Sequence, residues 1–231
     1  MTTTLITGAN KGIGRETARR LVERGHDVWI GARAPQLGQA AADDVGARFV
    51  QLDVTSEASV TAAVQAVRDA GGGLDVLVNN AAIFGRDVPV DEITGDDVDA
   101  VLQTNVSGVV RVTNAFLPLL RQSSAPVIVN VASSLGSVAL CGDPDRVEYT
   151  VDSVTYPPSK SAVVMLTVQY AKVLPNFRVN VVDPGHTATE MNGFQGAQTL
   201  TEGTDAIVAM ATVSADGPTG TFVNRFGSVP W

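Results

Sequence analysis

Short, continuously apolar runs rich in β-branched residues alternate with longer segments of helical periodicity along the whole chain, and this alternation restricts the fold more than any single motif. Leu5-Ile6-Thr7 reads as a first strand, Asp27 to Ile30 as a second and Arg48 to Leu52 as a third. Leu74 to Val78, Val127 to Val131, Phe177 to Val182 and Thr221 to Val223 follow as further strands. Between them lie helical patterns over Gly12–Arg24, Ala34–Val45, Ser56–Ala70, Asp96–Leu120, Tyr156–Leu174 and Glu202–Val213. In the third helix Val60, Ala63, Val64 and Val67 recur at i, i+3, i+4 and i+7. Ser56 is its expected N-cap and Gly71-Gly72-Gly73 its stop. The Asp96–Leu120 pattern is expected to break near Gly108. Strands without polar alternation belong in a parallel sheet covered on both faces by helices. No linker, composition shift or fixed-period repeat divides the chain. The expectation is one α/β domain over residues 1–231, a doubly wound parallel sheet. Leu135 to Ser159 alone breaks the rhythm, and long loops inside compact domains tend to be functional.

Composition narrows the class. The 231 residues are 45% hydrophobic, enough for a sizeable core without disulfides or metal, and the single cysteine, Cys141, cannot form an internal bridge. A net charge of −8 disfavours nucleic acid as a partner. No apolar run approaches a membrane span, and only three threonines separate Met1 from the first strand. A cytoplasmic chain without membrane or nucleic-acid partners is expected.

The first strand runs into Thr7-Gly8-Ala9-Asn10-Lys11-Gly12-Ile13-Gly14 and then a helix. Such a turn presents backbone N–H groups and the positive end of a helix dipole to phosphate, although glycine also serves tight turns that bind nothing. It sits at the carboxyl end of a strand, where open α/β sheets bind ligands. The second strand ends at Ala32-Arg33. An acid near this point reads the ribose 2′-hydroxyl of NAD, whereas arginine accommodates the 2′-phosphate of NADP. Lys11 can reach the same volume. Either the two cations are ordinary solvated residues or together they select NADP(H). Farther along, Tyr156 and Lys160 open a helix four residues apart, on one face. A cation beside the phenol favours its ionised form and brings it nearer the range of acid–base work. The prolines between them suit a first helical turn.

Taken together these segments resemble the short-chain dehydrogenase/reductase family over essentially the whole chain. The resemblance rests on Thr7-Gly8-x-x-x-Gly12-x-Gly14, Asp53-Val54, Asn79-Asn80-Ala81-Ala82, Asn105, Asn130-Val131-Ala132-Ser133, Tyr156-x-x-x-Lys160 and Pro184-Gly185-His186-Thr187-Ala188-Thr189. It implies a Rossmann-type sheet of about seven strands. It also implies an NADP(H)-dependent oxidoreductase that reduces a ketone or aldehyde in carbonyl-reductase manner, and no metal site. By resemblance, Tyr156 is the acid toward the carbonyl oxygen, Ser133 its hydrogen-bonding partner, Lys160 the residue that lowers the tyrosine pKa and holds the nicotinamide ribose, and Asn105 the seat of a water. Gly8, Asn10, Lys11, Gly12, Ile13 and Gly14 line the phosphates and Arg33 the 2′-phosphate. Asp53 and Val54 flank the adenine, and Asn80 with Ala81 the adenosine ribose. Pro184 and Gly185 lead to Thr187 and Thr189 at the carboxamide.

Two departures stand out. Ala82 replaces the last glycine of the usual Asn-Asn-Ala-Gly, and the stretch from Ser133 to Tyr156 is longer than usual. The extra residues, within an insertion over 135–155, either line the substrate pocket or cover the helix face that relatives use to oligomerise. In the second case the protein is a monomer; otherwise a homodimer or homotetramer is expected. A short lid over 190–201 offers Met191 and Phe194 as apolar contacts and Gly193 and Gly196 as hinges, and leaves the pocket open to bulky substrates. Two rival readings remain: a cofactor-binding regulatory protein without turnover, and an NAD-preferring alcohol dehydrogenase.

Overall fold

Leu5 and Ile6 are neighbours in one strand, yet they belong to different hydrophobic cores, and the same split runs through every central strand. The computed structural model describes residues 1–71 and 73–231; Gly72, the middle of the expected glycine stop, lies outside them. The strands are β1 (Thr3–Thr7), β2 (Asp27–Ala32), β3 (Arg48–Gln51), β4 (Val76–Asn79), β5 (Val127–Val131), β6 (Arg178–Val182), β7 (Phe222–Asn224) and β8 (Gly227–Ser228). They form one sheet in the order β3-β2-β1-β4-β5-β6-β7-β8. Seven strands are parallel; β8, a two-residue antiparallel return on β7, is one more than the sequence indicates.

On one face lie α3 (Glu57–Asp69) and α5 (Gly108–Leu120), whose Val60, Val64, Val112 and Phe116 pack on Leu5, Leu77 and Ile128. On the other lie α1 (Gly12–Val22), α2 (Pro35–Val45) and α9 (Asp205–Ala211), which bring Leu21, Ala42 and Ile207 to Ile6, Val78 and Val129. A pleated strand points alternate side chains to opposite faces, so two cores require the unbroken apolar runs seen in the sequence. Ser56 caps α3 by accepting a hydrogen bond from the Ser59 amide, and Val60, Ala63, Val64 and Val67 are the buried residues of that helix.

The Asp96–Leu120 pattern resolves into α4 (Gly95–Leu102), a π-helical turn (Gln103–Ser107) and α5. The break precedes Gly108, where a Cβ would lie 2.9 Å from Val54 Cγ2. The 135–155 stretch is folded: a 3₁₀ turn at Ser134–Gly136, α6 (Val138–Cys141) and a second 3₁₀ turn at Val147–Thr150. It ends against α7 (Tyr156–Val173). The Glu202–Val213 pattern divides into α8 (Leu200–Gly203) and α9 at Thr204. Among the described residues no helix is long and apolar enough to cross a membrane.

Candidate active site

Strand order reverses between β1 and β4, and a cleft of about 440 Å³ opens beyond their carboxyl ends. Its floor is the turn after β1, where Gly8, Asn10, Lys11, Gly12, Ile13 and Gly14 all line the cleft. Two of the glycines are dictated by position. Gly8 has φ +65°, and a Cβ there would meet the Ala81 Cα at 2.8 Å; a Cβ on Gly14 would meet the Asn80 side-chain Nδ2 at 2.6 Å. The turns after β1 and β4 are therefore pressed together. Asn80 clips them by donating its side-chain amide to the Thr7 carbonyl (2.8 Å) and the Gly8 carbonyl (3.2 Å). The Thr7 hydroxyl accepts from the Asn80 and Ala81 amides, both at 3.0 Å. The N-cap of α1, Lys11, supplies no side-chain cap. The first-turn N–H groups are left to face an anion, which is what a dinucleotide diphosphate requires of this site.

Around this floor, Arg33 at the end of β2, Asp53 and Val54 after β3, and Ala81 after β4 line one end of the cleft. Burial pushes the Asp53 carboxyl up, but hydrogen bonds from the Thr55 hydroxyl and amide, with Arg33 and Arg111 nearby, outweigh it and hold the group below its ordinary range. The Lys11 ammonium is paired with Glu190 at the start of the lid. Arg15 is likewise paired, with Asp44, whereas Arg33 is exposed and has no salt-bridge partner among the described residues.

At the other end stand Tyr156 and Lys160, on the first two turns of α7. Pro157 and Pro158 fall where a helix has no intrahelical use for an N–H. The Lys160 ammonium lies 5.3 Å from the centre of the Tyr156 ring and donates to the Val131 carbonyl at 2.9 Å. Burial lowers Lys160 to about 8. Burial, and then the Asp183 carboxylate, push the Tyr156 phenol well above its ordinary value, opposed by a hydrogen bond with Ser133. Lys160, expected by resemblance to lower the phenol, is not among the groups that set this shift; burial dominates it. Ser133, extended just beyond β5, accepts a hydrogen bond from the Leu135 amide while facing Tyr156.

Asn105 sits in the π-helical turn with its side chain fully committed. It donates to the Ile83 carbonyl (2.9 Å) and the Ser159 hydroxyl (3.0 Å) and accepts from the Ile83 amide (2.9 Å). Both amide hydrogens are used, so the side chain braces the turn after β4 against α7. Pro184 and Thr189 line the cleft. Gly185 and Thr187 do not: Thr187 is buried and donates its hydroxyl to the Pro184 carbonyl at 2.9 Å.

Met191 and Phe194, in the 190–201 segment, line the cleft. Of its two glycines only Gly193 is free of neighbours; a Cβ on Gly196 would come within 2.1 Å of the Ala188 amide, so that position is locked by packing. No residue of 135–155 lines the cleft. His186 is exposed, and the Cys141 thiol is raised by burial and then by Glu148, which leaves it a poor nucleophile.

Three functional residues escape a reading of the sequence. Glu190 is 179 positions from its partner Lys11. Asp183 is buried, accepts from the Gly185 amide at 2.8 Å and touches the electrostatics of Tyr156. A lone acid between an apolar strand and Pro-Gly was the available signal. Phe84, two residues beyond the Asn79–Ala82 motif, stacks on Tyr156, and the motif does not itself point to it.

Comparison with known proteins identifies the family. The model of a family described as short chain dehydrogenase matches residues 2–200. A (+)-neomenthol dehydrogenase of Capsicum annuum is 31% identical over 96% of this chain and 95% of its own. The structure of salutaridine reductase from Papaver somniferum superposes with a TM-score of 0.84 at 28% identity, over 97% of this chain and all of that one. A 3-ketoacyl-(acyl-carrier-protein) reductase from Brucella melitensis, complexed with NADH, superposes with a TM-score of 0.83 at 26% identity, over 97% of this chain and 96% of that one. The chain thus belongs to the short-chain dehydrogenase family, oxidoreductases that work with a nicotinamide cofactor.

Proposed function

We propose that this protein is an NADP(H)-dependent reductase of ketones or aldehydes, with Tyr156 as the proton donor. The observation that carries the reading is the placement of the Tyr156 phenol beside Ser133, with the Lys160 ammonium near its ring, at one end of a cleft whose floor suits a diphosphate. When bound, the cofactor supplies the hydride. The chain does the rest. Ser133 and Tyr156 donate hydrogen bonds to the substrate's carbonyl oxygen and fix its orientation. Tyr156 then gives up its proton as negative charge develops there, which is general acid catalysis by a group kept protonated until that moment. Lys160, with a pKa near 8, stabilises the phenolate left behind and holds the ribose side of the cofactor. Asn105 acts through Ile83 and Ser159, keeping the turn after β4 and the first turn of α7 in register. A water relay at Asn105 would use its backbone carbonyl, since both side-chain donors are occupied.

The preference for NADP(H) rests on Arg33, the unpaired cation at the end of β2. Lys11 belongs to the diphosphate and lid side rather than to the 2′-phosphate. Thr189 lies where a carboxamide contact is expected, and Thr187 supports the loop. The names of the relatives, a dehydrogenase and reductases, accord with hydride transfer to and from a carbonyl.

The test is a fluorescence titration with NADPH and NADH. The wild type is expected to bind NADPH more tightly, and Arg33→Ala to lose about 10- to 150-fold in NADPH affinity with NADH unaffected, the value of a charge-assisted contact. Equal binding of the two cofactors, in line with the NADH complex of the Brucella protein, would replace the NADP reading by the NAD-preferring one. Binding of neither would return the chain to a non-enzymatic role.

A further inference from the structure

The ring of Phe84 stacks on the ring of Tyr156, centroids 5.0 Å apart and planes 30° from parallel. The stack sets Phe84 against the ring of Tyr156, and Ile83 and Tyr156, its neighbours in chain and in space, both line the cleft. Phe84 itself is half-buried.

Three independent constraints pin the segment that carries it. Ile83 is gripped at both its amide and its carbonyl by Asn105. The Phe84 carbonyl accepts from the Thr155 hydroxyl at 3.5 Å, tying it to the residue that precedes Tyr156. Gly85 holds φ +98°, and a Cβ there would meet Val101 Cγ2 at 2.8 Å and Thr155 Oγ1 at 3.1 Å. A side chain between a clamped residue and a glycine that accepts no Cβ has little freedom to move with its backbone. The stack is therefore preorganised, and a preorganised aromatic surface contributes affinity without an ordering cost at binding.

We propose that Phe84 is a specificity-determining residue: a fixed aromatic wall beside the Tyr156 hydroxyl that favours flat, ring-bearing carbonyl substrates over puckered or aliphatic ones. The inference rests on the carbonyl-reductase reading above and names the substrate class of that site. A planar substrate extends the Phe84–Tyr156 stack while its oxygen reaches Tyr156 and Ser133. A puckered ring of equal size keeps the oxygen contacts and loses the face-to-face contact. Asn105 thereby becomes a positioning residue for specificity, because it sets Ile83 and through it Phe84.

The experiment compares acetophenone with cyclohexyl methyl ketone, which share a carbon skeleton and differ in the flatness of the ring. The wild type, Phe84→Leu and Phe84→Tyr are assayed with NADPH. For Phe84→Leu, the ratio of kcat/KM for acetophenone to that for cyclohexyl methyl ketone should fall about 3- to 10-fold relative to wild type, the value of one aromatic pair. The fall should appear in KM for acetophenone, with kcat within about 2-fold. Phe84→Tyr, which keeps the ring, should keep the wild-type ratio. A loss of folding or of general catalytic competence moves both ketones together and leaves the ratio unchanged. Should Phe84→Leu fail to fold, a ratio changed by the Phe84→Tyr substitution would overturn the proposal and a preserved one would support it. An unchanged ratio in a folded Phe84→Leu overturns it while leaving the reductase reading intact. Reduction of neither ketone or any other carbonyl by wild type overturns both.

Discussion

Lys160→Met should make the cofactor-free protein more stable at pH 7, although it removes a residue of the reaction. Lys160 is 3% exposed, and burial lowers its ammonium from 10.5 to about 8. Holding the charged form in that environment costs about 3 kcal/mol relative to the unfolded chain. The hydrogen bond to the Val131 carbonyl, worth about 1 kcal/mol, is lost with the side chain. A net gain of about 2 kcal/mol is expected at pH 7, or about 4–8 °C in melting temperature for a chain of this size. The sign reverses the usual pattern for a basic group. Below pH 8 both folded and unfolded Lys160 carry the proton, so the penalty is complete and constant. Between pH 8 and about 10 the folded protein has released that proton and the unfolded chain has not, so wild-type stability climbs with pH. The variant lacks this climb, and about 2 kcal/mol of its advantage should be gone by pH 9.5. Urea unfolding of both proteins at pH 7, 8.5 and 9.5 measures this directly. A difference between the two that stays constant across that range, or a variant less stable at pH 7, would refute a buried, charged Lys160.

Other expectations follow from the same geometry. Gly8→Ala forces a Cβ into the left-handed region and within 2.8 Å of Ala81, and should cost about 2–4 kcal/mol in urea unfolding together with most cofactor affinity. Asn105→Ala strands the Ile83 amide and carbonyl in a half-buried turn. It should lower stability by about 2–3 kcal/mol and turnover more than NADPH affinity, as read by unfolding and by steady-state kinetics.

Much of the architecture was legible because it depends on local pattern. The two-core packing of Leu5 and Ile6, the α3 face from Val60 to Val67 and the Ser56 cap each follow from a few adjacent residues. What escaped depends on tertiary context. A two-residue strand such as Gly227–Ser228 has no periodicity to read. The π-helical turn around Asn105 has the composition of an ordinary helix, and the clamp it makes on Ile83 is a tertiary contact. The 135–155 stretch lacks a period because its elements, α6 and two 3₁₀ turns, are each four residues or fewer. In the site, Tyr156, Lys160, Ser133 and the glycine turn announce themselves by spacing. The partners that tune them lie far along the chain: Glu190 for Lys11, Asp183 and Phe84 for Tyr156. Thr187, placed at the cofactor by its motif, donates its hydroxyl to the Pro184 carbonyl, a contact visible only once the loop is folded.

The central claim is that Tyr156 is the acid of a carbonyl reductase, and it is tested most directly by NADPH oxidation in the presence of a ketone that the wild type reduces. Tyr156→Phe keeps the ring, the stack on Phe84 and the neighbours of Lys160, and removes only the hydroxyl. It should bind NADPH within about 3-fold of wild type and turn over about 10²- to 10⁴-fold more slowly, the range for loss of a positioned proton donor. Turnover close to wild type with NADPH bound normally would contradict the claim and move the proton to another group.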